Sequence, residues 1–124
     1  MMQVKDEIAI EKLSADLKDA YAHLSGMTEE QLQAELNLMS AEAWLEESRN
    51  KILLKFEPKE LGANEAQREA NLNAHCAEQV EKFQQAERER IMVRSHMEKA
   101  KLQIEGLRAQ LRILELAAGI QRAA

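Results

Sequence analysis

The sequence predicts an all-α protein: an antiparallel helical hairpin or coiled coil in which one long C-terminal helix is covered by two shorter helices. Three observations lead there. Apolar residues recur at three- and four-residue steps through most of the 124 residues, the spacing of a helical stripe. Four glycines and one proline are too little turn chemistry for a sheet of short strands. The C-terminal half carries a seven-residue repeat, the signature of helices wound on each other. The length suits one domain, 1–124, and 45% apolar with 31% charged residues is the balance of a folded chain.

The first helix is expected over about 5–24. Ile10, Leu13, Leu17, Ala20 and Leu24 form its stripe, and Asp6 and Glu7 suit its positive N-terminal end. Ser25-Gly26 reads as its stop, because glycine readily closes a helix.

A second helix is expected over about 28–57. Thr28 with Gln31 three residues on has the form of a capping box. Leu32, Leu36, Met39 and Ala43 make one stripe, and Leu38, Ala41, Leu45 and Ile52 another beside it. Two stripes suit contact with more than one neighbour. Pro58 ends the run, leaving 58–63 as a turn short enough to require an antiparallel return.

The third and longest helix is expected over about 64–118, capped by Asn64. Its seam runs through Leu72, Cys76, Phe83, Ala86, Val93, Met97, Ala100, Ile104, Leu107, Leu111, Leu114 and Ala118, interrupted by Gln79 and Arg90. Reversal near residue 61 brings Glu30 and Glu35 opposite Arg88, Arg90 and Arg94. The first helix then covers 95–118, where Asp6, Glu11, Asp16 and Asp19 could meet Lys99, Lys101, Arg108 and Arg112. The charge follows this layout. Residues 1–50 hold 4 basic and 11 acidic residues, a net −7, and the remainder 13 and 11, a net +2.

Beside the seam, Ile91, Leu102 and Ile113 recur every eleven residues, joined by Leu116 and Ile120. Two thin helices do not readily bury two stripes, so these five residues are expected to form an oligomer seam, most simply of a homodimer. Trp44 is a candidate anchor for a protein partner. Arg88, Arg90, Arg94, Lys99 and Lys101 are candidate phosphate contacts, although interleaved glutamates and the absence of aromatic residues among them argue for a solvated face.

Chemistry is harder to find. The glycines are scattered singly, with no phosphate loop. One cysteine and three dispersed histidines do not supply the ligand set of a zinc site. His75-Cys76 and Ser95-His96 are neighbours whose side chains diverge on a helix. Glu42 and Glu46 lie among other carboxylates on a helix face. The expectation is a protein that is not an enzyme, without cofactor or metal, in which Cys76 is a small core residue. One cysteine permits no internal disulfide, and no apolar run is long enough to cross a bilayer. A soluble, cytoplasmic protein is expected.

At the turn, Leu61-Gly62-Ala63-Asn64-Glu65-Ala66-Gln67-Arg68-Glu69-Ala70-Asn71-Leu72 resembles the Gly-x-Asn-Glu-x-x-Arg-x-Ala segment of small phage and prophage helical proteins. Lys51, Lys55 and Lys59 precede it and a long charged helix follows, as in those proteins. Over roughly residues 35–115 the layout is similar to phage recombination mediators and related proteins of DNA-metabolism gene clusters. The resemblance implies a non-catalytic accessory that binds a protein of phage DNA recombination or replication in the host cytoplasm. The acidic first half suggests an alternative, an inhibitor of a host nuclease or defence complex that blocks it sterically or by imitating nucleic acid. A structural coiled-coil subunit is the third reading.

Overall fold

Residues 3–119 are described by a computed structural model, and 92% of them are helical, with no strand among them. Four helices follow in order: α1 (Val4–Lys55), α2 (Pro58–Leu61), α3 (Glu65–His75) and α4 (Ala77–Ala117). The long helices α1 and α4 pack against each other as an antiparallel hairpin. Contacts group the chain into two units, one of residues up to Glu30 with those from Arg94 on, the other Gln31–Val93.

The seam that the sequence marks on α4 is the covered one. In the first unit Met97, Ala100, Ile104 and Leu111 are buried, with Leu107, Leu114 and Ala118 half-buried. Facing positions on α1, from Ile10 through Leu13, Leu17, Ala20 and Leu24, are half-buried, and Met27 is buried. In the second unit Leu72, Cys76 and Ala86 are buried, and Phe83, Val93, Gln79 and Arg90 are half-buried. Cys76, at 1% exposure, is the most enclosed side chain in the seam.

Ser25-Gly26 does not stop the first helix, which corrects the expected boundary between residues 24 and 28. The seam of α1 steps 20, 24, 27, 31, 34, 38, 41, 45 without a break in its alternation of four and three. None of these positions is exposed. Burial along that stripe outweighs the roughly 1 kcal/mol that a glycine costs inside a helix. Gly26 lies off the seam, and a Cβ added there would meet nothing within 4 Å. Thr28, expected as a cap, instead donates from Oγ1 to the carbonyl of Leu24 at 3.0 Å, the bond a mid-helix threonine makes.

The expected rod over 64–118 is also divided, at Cys76. The backbone there leaves helical geometry (φ −112°, ψ 29°). Its amide is shared between the carbonyls of Leu72 at 3.2 Å and Asn73 at 3.1 Å. Neither proline nor glycine marks the spot. What distinguishes α3 is its attachment to the connection: Asn71 Nδ2 donates to the carbonyl of Leu61, and the His75 ring stacks at 5.1 Å on Phe56, just past α1. These ties hold α3 to the turn while α4 follows the seam, and the chain adjusts between them.

The connection is built from local rules. Pro58 takes the first position of α2, where its missing N–H costs nothing, and the Glu57 amide donates to Glu60 Oε1 at 3.1 Å. Asn64 caps α3 as expected, its Oδ1 accepting from the Gln67 amide at 2.8 Å. Gln67 answers by accepting from the Ala63 amide at 3.0 Å. Between the two helices the chain passes so close to α3 that a Cβ on Gly62 would sit 2.8 Å from the Arg68 nitrogen and from the Gln67 Cβ. Only glycine fits.

Candidate protein-docking cleft

The second unit holds an open cleft of about 800 Å³ between the last turns of α1, the connection and α3. Its apolar lining comes from Leu45, Leu53 and Phe56 on one side and Leu61, Leu72 and Phe83 on the other. Leu61 and Leu72 are buried at the base, whereas Leu53, on the α1 lip, is 52% exposed. Charge lines the rim: Glu42, Glu46 and Arg49 on α1, Glu65, Arg68 and Glu69 on α3. Arg49 and Glu69 form an ion pair from one lip to the other.

The turn motif divides in two here. Gly62 and Asn64 build the turn, as described above. Glu65 and Arg68 do not; they stand on successive turns of α3 and line the cleft. The sequence offered one signal for these two residues, their place in the Gly-x-Asn-Glu-x-x-Arg pattern. It offered none for Leu53 and Phe56, because a cleft where two helices part has no periodicity of its own.

Trp44 is 39% exposed and borders a separate shallow groove with Ala41, Ala86 and Lys82. Of the two α1 stripes, only that of Leu38, Ala41, Leu45 and Ile52 is covered; Leu32, Leu36 and Met39 stand exposed. At 100° per residue this second stripe lies on nearly the opposite side of α1 from the seam.

Among the candidate oligomer residues, Ile91 in the second unit is exposed, as are Leu102, Ile113 and Leu116 in the first. Ile120 lies outside the described residues. The candidate phosphate contacts stand in different surroundings. Arg90 is half-buried and paired with Glu35 at 3.9 Å, and Lys101 pairs with Glu98 on its own helix at 3.4 Å. Arg88 stands two residues from Arg90, about 200° around the helix, and is exposed, as are Arg94 and Lys99. The expected ion pairs of Asp6, Glu11, Asp16 and Asp19 with Lys99, Lys101, Arg108 and Arg112 do not occur among the described residues. Glu11, Asp19, Arg108 and Arg112 are exposed, and exposed pairs gain too little to fix long side chains.

No group of three or more His, Cys, Asp or Glu among the described residues could hold a metal ion, and no helix among them is long and apolar enough to cross a membrane. Comparison with family models, curated proteins and solved structures finds no match to this chain.

Proposed function

We propose that this chain is a non-catalytic protein-binding accessory whose cleft receives a segment of a partner protein. The observation that carries this is the cleft itself. It combines an apolar base with a partly exposed leucine lip and a charged rim, an anatomy suited to docking a protein segment. The segment that suits it is an amphipathic helix or extended stretch with a bulky apolar anchor for Phe56 and Leu72. Basic residues at its margin would meet Glu42, Glu46 and Glu65. The resemblance of the turn to phage recombination-mediator-like proteins suggests phage or prophage DNA recombination or replication as the setting. Self-association through the outward face of α4, at Leu102, Ile113 and Leu116, is part of the same reading.

Affinity capture from the host with the wild-type chain and with Leu53→Glu tests it. The wild type is expected to recover a protein of DNA recombination or replication, and the variant, with a charge on the apolar lip, to lose it. Equal recovery by both would remove the cleft from the account. Recovery of a nuclease or defence-complex subunit in its place would support the inhibitor reading, which the acidic first half of the chain favours.

A further inference from the structure

The outward face of α4 in the first unit carries a second seven-residue alternation, distinct from the covered seam. Leu102, Gly106, Ala109, Ile113 and Leu116 step by four, three, four and three. All five are exposed, and a Cβ added at Gly106 would meet nothing within 4 Å. The middle of this stripe is therefore small and open, with large apolar side chains on both sides. Over the four turns from 102 to 116 it runs about 21 Å.

We infer that this face binds the same face of a second copy, antiparallel, about a two-fold axis midway between Gly106 and Ala109. That rests on the self-association proposed above and adds its direction and register. In this register Gly106 meets Ala109 of the second copy, Leu102 meets Ile113 and Leu116 meets Lys99, so Leu102 and Ile113 pair across the flanks, Leu116 lies along the aliphatic stem of Lys99 and the two backbones approach at the centre. The flanking charges select the direction. Antiparallel helices bring together the positions just before Gly106 and Ile113, which are Glu105 and Arg112. Each Glu105 then faces the other copy's Arg112, twice by symmetry. On the opposite flank Gln103 faces Gln110. A parallel pair would instead set Glu98 against Gln103, Glu105 against Gln110 and Arg112 against Ala117, with no opposite charges meeting. Glu105 and Arg112 are exposed and make no ion pair among the described residues, so both are available.

Sedimentation equilibrium of the full chain at low salt, over a concentration series, tests the register. The wild type is expected to dimerise. Glu105→Arg and Arg112→Glu each replace two attractive pairs by two repulsive ones and are expected to raise the dissociation constant roughly tenfold or more. The double variant Glu105→Arg/Arg112→Glu restores opposite charges and is expected to return it close to wild type. Circular dichroism checks that all four chains are equally helical, which the exposure of both positions leads one to expect. A dimer indifferent to the single changes, or one the double variant fails to restore, would overturn the antiparallel register and leave self-association standing. A wild-type monomer at every concentration would overturn both.

Discussion

Arg90 reaches from α4 to Glu35 on α1, its Nη1 standing 3.9 Å from Glu35 Oε2. The pair joins the two helices in the second unit, and it lies where a reversal near residue 61 places it. Arg90 nonetheless occupies a seam position, between Ala86 and Val93, and its Nε is buried without a hydrogen-bond partner among the described residues. A buried donor left unmade costs more than a half-exposed ion pair returns. Arg90→Met is therefore expected to stabilise the fold by about 1 kcal/mol, read as a higher urea midpoint. Glu35→Gln should change stability by less than about 1 kcal/mol.

Gly26 sits inside α1, off the seam, with open space where a Cβ would go. Gly26→Ala is expected to add about 0.5–1 kcal/mol and raise the thermal midpoint. A loss of stability on that substitution would mean that the helix does end at Ser25-Gly26.

Gly62 is the opposite case. Its Cβ would overlap the backbone of Arg68 and Gln67, atoms that cannot rotate away. Gly62→Ala is expected to cost about 1–3 kcal/mol in chemical denaturation and to loosen the connection bordering the cleft.

Leu111 and Leu102 lie nine residues apart on α4 and differ in surroundings, at 4% and 65% exposure. Leu111→Ala is expected to cost about 2–5 kcal/mol. Leu102→Ala should change the stability of the single chain by less than about 0.5 kcal/mol, although it lies on the face proposed to pair with a second copy. Thermal unfolding in dilute solution separates the two.

Positions that repeat in step were readable from the sequence. The seam that runs from Leu72 on α3 along α4 to Ala118 and the cap at Asn64 follow from periodicity and from a side chain that serves its own backbone. Ser25-Gly26 misled because punctuation is a local signal, whereas the alternation through Leu24, Met27 and Gln31 binds the helix to a distant partner. The break at Cys76 had no local mark, since it answers to the ties of Asn71 to Leu61 and His75 to Phe56. The cleft was hidden for the same reason: its residues come from separate helices and share no spacing.

The docking role of the cleft is tested most directly by a photo-reactive amino acid placed at Leu53, on the exposed lip, with Glu11 in the first unit as the comparison site. Irradiation of cells producing each chain, followed by mass analysis of adducts, should give one discrete protein partner joined at position 53 and not at position 11. Adducts from position 11 with none from position 53 would show that partners meet this chain elsewhere, and the cleft would lose its assigned role.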